Sequence, residues 1–182
     1  TTKPQDTEEA SRQALAEVNK IRVQYGRNPI AFDPRVFRLA IARLEDMTRY
    51  RYYDHVNSET GTCAETMKAQ FGLLPTEYVA ENIIGIGPKE HPVTLRHWEI
   101  MQPSTAIQGW MDSRGHRFNL LYPDHTAGAL VCRDKCIFLG LNTKQFGGGA
   151  CHSAEEGLRY WKNAPQRPGE AQYIPSLPRN LQ

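Results

Sequence analysis

Ala14, Val18, Ile21 and Tyr25 recur at steps of four, three and four, which places them on one face of a helix. Gly26 follows the last of them and suits the C-terminal cap. After a loop holding Pro29, Asp33-Pro34 offers an N-cap and a preorganised first turn. Phe37, Ala40, Leu44 and Met47 then repeat the apolar stripe, with Arg38, Arg43, Glu45 and Asp46 assigned to the outer face. Thr62-Cys63-Ala64-Glu65 has the capping-box form. Cys63, Met67 and Phe71, four residues apart, predict a third and shorter helix closed by Gly72.

Tyr78–Ile86 reads as a strand or an extended crossover carrying Glu81-Asn82. Pro88, Pro92 and Pro103 keep any helix around Leu95–Met101 short. Ser104 is placed to cap a helix through Met111 that buries Ile107, Trp110 and Met111. Two apolar runs, Ala127–Val131 and Ile137–Leu141, flank three polar residues and predict a hairpin. Helices early and strands late imply a layered α+β domain rather than repeated βαβ units.

Beyond the hairpin the pattern changes. Gly147-Gly148-Gly149 reads as a hinge, and Ser153-Ala154-Glu155-Glu156 caps one short helix through Trp161. Pro165, Pro168, Pro175 and Pro178 then exclude long regular structure. The reading is a domain over residues 1–146 and a Gly/Pro-rich extension over 147–182. The extension is expected to pack on the domain near Cys151, with Tyr160 and Trp161 as anchors and Tyr173, Ile174 and Leu177 adding apolar surface, and to cover part of its cleft.

Composition narrows the function. The 182 residues suit one domain, and 40% hydrophobic with 23% charged residues is a globular balance. A net charge of +2 gives no electrostatic case for nucleic acid. No apolar run approaches the roughly 20 residues of a transmembrane helix. The opening Thr1-Thr2-Lys3 without Met fits a processed or a trimmed chain.

Four cysteines leave two readings. Cys132 and Cys136 lie across the predicted hairpin, so a bridge there fits, worth roughly 2 kcal/mol, with Cys63 and Cys151 paired by elimination. Alternatively Cys132, Cys136, Cys151 and His152 make a tetrahedral zinc set. Disulfides imply an oxidising, extracytoplasmic compartment, secreted or periplasmic.

Four motifs stand in a recurrent order. They are Asn19, Arg22 and Gly26-Arg27-Asn28-Pro29; Asp54-His55 with Gly61; Glu81-Asn82-Ile83; and the run from Trp110 through Ser113, His116 and Asn119 to Leu121. Together they resemble the CAP superfamily of cysteine-rich secretory proteins, antigen 5 and pathogenesis-related proteins, in its bacterial SCP-like form, over about residues 8–142. The resemblance implies a three-layer α-β-α sandwich in which His55, Glu81 and His116 converge on one cleft. Many members place a second glutamate where this chain has Ser113, and a hydroxyl is a poor substitute for a carboxylate ligand.

Two imidazoles and a carboxylate are able to hold zinc or another divalent metal, here weakly. A carboxylate is equally able to fix a histidine tautomer. The functional expectation is an extracytoplasmic binding module for a lipid-like or cell-envelope ligand, or a protein. The alternatives are a metal-assisted hydrolase with Glu81 as base, and an interaction protein working through its tail. His91, His97, His125 and His152 carry no motif and read as surface or packing residues, and Trp110 as core.

Overall fold

The computed structural model describes residues 3–85, 100–144 and 151–163. The glycine hinge, the proline-rich stretch from Pro165 with Tyr173, Ile174 and Leu177, His91, His97 and most of the short helix expected near Leu95 lie outside the described residues.

Helix α1 (Glu8–Gln24) begins at Thr7, whose Oγ1 accepts from the Ala10 amide at 3.1 Å. It ends before Gly26, whose φ of 70° is the left-handed conformation that favours glycine. Strand β1 (Ala31–Phe32) follows; two residues are too few for a periodic signal, and the sequence pattern missed it. Helix α2 (Pro34–Arg49) is capped by the Asp33 carboxylate, as expected.

The stripe α2 buries is Val36, Leu39, Ala40, Arg43, Leu44 and Met47. Arg43, assigned to the outer face from its charge, is therefore inside. It follows Ala40 by three residues and precedes Met47 by four, so the helical period turns it inward whatever its polarity.

Helix α3 (Ala64–Met67) runs on as one 3-10 turn, Lys68–Phe71, and stops at Gly72. Its cap differs from the expected one: Thr66 Oγ1 accepts from the Cys63 amide at 2.9 Å, and Glu65 instead accepts from Val79 N at 2.8 Å. Strand β2 spans Tyr78–Gly85. In helix α4 (Pro103–Met111) Gln102 holds the cap position and Pro103 the first turn, so Ser104 lies inside the helix rather than capping it. Helix α5 (Arg114–Leu120), strands β3 (Ala127–Cys132) and β4 (Lys135–Asn142), and helix α6 (Ala154–Asn163) complete the order.

The four strands lie in the order β1-β3-β4-β2, with β1 parallel to β3 and the other pairs antiparallel. Side chains alternate between two cores. Leu130, Cys132 and Phe138 pack with Ala14, Val18 and Trp110 of α1 and α4 on one face. Val131, Ile137 and Leu139 pack with Leu39, Leu44 and Met47 of α2 on the other. That is the expected α+β arrangement in three layers, and it explains why β4 is buried along its whole length. Strand β2 is an edge of the sheet, and the candidate site lies against it.

The cysteines form two disulfides. Cys132 and Cys136 are direct cross-strand partners bridged across the hairpin, and Cys63 bonds Cys151 over 88 residues. No thiolate remains for the alternative zinc set. No helix among the described residues is long and apolar enough to cross a membrane.

Candidate functional site

His55 sits on the loop that leaves α2, and that loop is tied from within. The side chain of Asn57, buried, accepts from the Glu59 amide at 2.9 Å and donates to Asp46 Oδ2 at 3.2 Å. Gly61 closes the loop at φ 76°. Tyr52 links α2 to the same loop through hydrogen bonds to Arg43 and Asp46. Burial and then the Asp46 carboxylate push the Tyr52 phenol well above its usual range, so it remains a donor.

Glu81 projects from β2 toward α2 and meets the buried Arg43. Arg43 Nε donates to Glu81 Oε2 at 2.8 Å and Nη2 to Oε1 at 3.1 Å. Nη2 also donates to the Asp54 carbonyl at 2.8 Å, so one guanidinium fixes both the carboxylate and the backbone next to His55. His55 Nδ1 lies 2.9 Å from Glu81 Oε1. Burial alone would raise the Glu81 pKa; Arg43 and His55 outweigh it and hold the group down to about 2. An ionised carboxylate only accepts, so Nδ1 carries the proton toward Glu81. Nε2 is the ring atom left for another partner.

Ser113 stands between α4 and α5. Its hydroxyl does not cap α5 but meets His116 Nδ1 at 2.8 Å. Burial, and then the nearby His55, push the His116 pKa down to about 4, which keeps that imidazole neutral at pH 7. Below it runs a chain of buried amides. Asn82 Nδ2 donates to the His116 carbonyl at 2.9 Å, and Asn119 Nδ2 donates to Asn82 Oδ1 at 3.0 Å. Asn119 Oδ1 then accepts from His125 Nε2 at 2.7 Å, and His125 Nδ1 accepts from Asn142 at 3.2 Å. Burial, then the Arg22 charge, hold His125 down to about 3. Sequence reasoning took His125 for a surface or packing residue; it anchors this network. Arg117 Nη1 donates to the Met111 carbonyl at 3.0 Å, and Trp110 is wholly buried core, as expected.

His55, Glu81, Ser113 and His116 line one cavity of about 630 Å³. One wall comes from the segment between Cys151 and Lys162, and Ala64, Val79 and Ala80 contribute another. The Cys63–Cys151 bridge fixes the start of this segment, and the Ala154 amide donates to Asp54 Oδ1 at 2.7 Å. His152 brings its ring within 6.2 Å of His55, a neighbour the sequence reading missed. The disulfide was the available signal, because it carries the residue after Cys151 to the loop before α3. Of the two expected tail anchors, Trp161 packs on Phe118 at 5.0 Å between ring centroids, whereas Tyr160 is exposed.

The metal expected from the resemblance finds an incomplete donor set. Glu81 is engaged by Arg43 and His55, and Ser113 offers a hydroxyl already bonded to His116. Among the described residues no three His, Cys, Asp or Glu side chains come together in a way that holds a metal ion. Two imidazoles remain, short of the three protein ligands of a catalytic zinc site.

The chain belongs to the cysteine-rich secretory protein family, whose family model matches residues 15–134. It is similar to the uncharacterized membrane protein YlbC of Bacillus subtilis, at 28% identity over 117 residues, covering 64% of this chain and 30% of that protein. It is also similar to the uncharacterized protein YkwD of Bacillus subtilis, at 28% over 126 residues, covering 69% and 43%. The chain thus spans less than half the length of these curated relatives. Among solved structures, an extracellular protein containing an SCP domain from Bacillus anthracis superposes with a TM-score of 0.57 at 22% identity, covering 79% of this chain and 45% of that one. An outer surface protein from Borrelia burgdorferi gives 0.57 at 15%, covering 80% and 100%. These likenesses carry the fold alone.

Proposed function

We propose that the protein is an extracytoplasmic binding module whose His55–His116 cleft holds a ligand without transforming it. The observation that carries this reading is the Arg43–Glu81–His55 relay. A carboxylate with a pKa of about 2, both oxygens taken by a guanidinium and an imidazole, is a poor general base near neutrality. What it does well is orient His55. His116 is oriented from the other side by Ser113. Two imidazoles of fixed orientation, in a cavity of the size that small ligands occupy, make a recognition surface for a hydrogen-bonding group. Two disulfides support an oxidising compartment outside the cytoplasm.

Turnover tests the reading. Fluorescent casein and p-nitrophenyl butyrate are incubated with the wild type and with the His55→Ala/His116→Ala double variant, with and without zinc. Equal, background-level rates support binding; turnover that disappears in the double variant overturns it.

A further inference from the structure

Helix α6 is 10 residues long, and none of them is buried. A helix that short is marginal in water by itself, so it depends on what fastens it. At its start stands the Cys63–Cys151 bridge, and Asp54 Oδ1 accepts from the Ala154 amide at 2.7 Å. The same oxygen accepts from the His55 amide at 2.6 Å. At its end, Arg114 Nη1 donates to the Trp161 carbonyl at 2.7 Å. There the indole packs on Phe118 and lies over Gly115, where a Cβ would approach it to 2.7 Å.

Asp54 precedes His55 in the chain, and Gly115 precedes His116. Helix α6 is therefore seated beside one cleft histidine at its start and beside the other at its end. The Ala154–Asp54 hydrogen bond is exposed, and such a bond competes with water and holds little. The covalent bridge is the strong tie.

The two disulfides differ in reach. Cys132 and Cys136 are 1% and 0% exposed, inside the core beneath α1 and α4. Cys151 is only half-buried, and it lines the cavity together with Cys63. Exchange requires a thiolate to reach a disulfide sulfur, so a reductant meets Cys151 first.

We infer that Cys63–Cys151 is a redox latch on the cleft, opened by a reductant that carries a vicinal dithiol. One thiolate of the reductant attacks Cys151 Sγ; the S–S bond breaks, and Cys63 leaves as a thiolate that takes a proton. The second thiol of the reductant attacks the mixed disulfide, releases Cys151 as a thiol and leaves the reductant as a disulfide. Two electrons pass to the protein. Without its bridge, α6 loosens from Asp54 and Gly115, and the wall it gives the cavity moves away from both histidines. As a control of ligand entry, the latch rests on the cleft being the binding site.

The test reads access without any ligand. The full chain is treated with dithiothreitol, a vicinal dithiol, and the thiols are trapped with iodoacetamide and mapped by mass spectrometry. Cys63 and Cys151 should be trapped at least tenfold faster than Cys132 and Cys136. In the chain with only that bridge reduced, diethyl pyrocarbonate should modify His55 and His116 at least fivefold faster than in the oxidised chain. The buried His125 should stay unreactive, which shows that the domain is still folded. Cys63→Ser/Cys151→Ser should behave as the reduced chain does, with no reductant present. Equal reduction of the two bridges, histidine reactivity unchanged by reduction, or a rise that His125 shares overturns the inference. Failure here is distinguishable from failure of the binding reading, because turnover of casein or p-nitrophenyl butyrate tests the one and histidine access the other.

Discussion

Arg43, wholly buried in α2, holds Glu81 of β2 through two hydrogen bonds of 2.8 and 3.1 Å. The pair crosses from one layer of the sandwich to the edge of the next. Its consequence reaches the cleft surface, because the same carboxylate turns His55 and the same guanidinium holds the Asp54 carbonyl. Burying the two charges is costly unless every donor and acceptor is matched, and here the match includes Tyr52. A cleft built this way is held rigid around His55.

Removing one member leaves the other charged and buried. Arg43→Met should cost about 3–5 kcal/mol in urea unfolding. Arg43→Met/Glu81→Leu should recover much of that loss while freeing the His55 ring. Equal destabilisation in the single and double variants would contradict the coupling.

Acid should weaken the fold in a defined window. His116 and His125 have folded pKa values of about 4 and about 3, below the ordinary 6.5. The unfolded chain therefore takes up both protons first, and stability falls as pH drops from about 6.5 toward 3. By pH 4 each histidine has cost about 3 kcal/mol of stability. Glu81 adds a loss below about 4.5, since its folded value is about 2. Chemical denaturation between pH 8 and pH 4 should show a plateau above pH 7 and a decline below 6.5. His125→Gln should flatten the decline.

The disulfides should differ in weight. In the chain-entropy picture the 88-residue Cys63–Cys151 closure is worth about 4.6 kcal/mol, and the Cys132–Cys136 closure about 2. Cys63→Ala/Cys151→Ala should lower stability more than Cys132→Ala/Cys136→Ala, and it alone should raise hydrogen exchange across α6.

Zinc should bind weakly to the wild type, and Ser113→Glu should tighten it at least tenfold in calorimetry at pH 7.5. The variant would add the carboxylate that the pair of imidazoles lacks. Submicromolar wild-type affinity, or no gain in the variant, would contradict the donor set described.

Much of the fold was legible because its signals are local and periodic. Ala14 to Tyr25, the Asp33-Pro34 cap and the runs flanking Arg133-Asp134-Lys135 each announce one element. Four separated motifs pointed to His55, Glu81, Ser113 and His116, which do line one cavity. The rest depended on tertiary placement. Arg43 was misassigned because charge was weighed above helical position. His125 and His152 owe their places to Asn119 and to the Cys63 bridge, contacts that no local spacing encodes. Strand β1 is defined only by its partner β3.

The most direct test of the account is a titration of the full chain, labelled with nitrogen-15 in its histidine rings, with 4-phenylbutyrate at pH 7. The account predicts a His55 ring protonated at Nδ1 before ligand is added. It also predicts saturable shifts of the His55 and His116 ring signals, with the buried His125 signals unmoved. A His55 ring protonated only at Nε2, or rings of His55 and His116 that do not respond at saturating ligand, would contradict it.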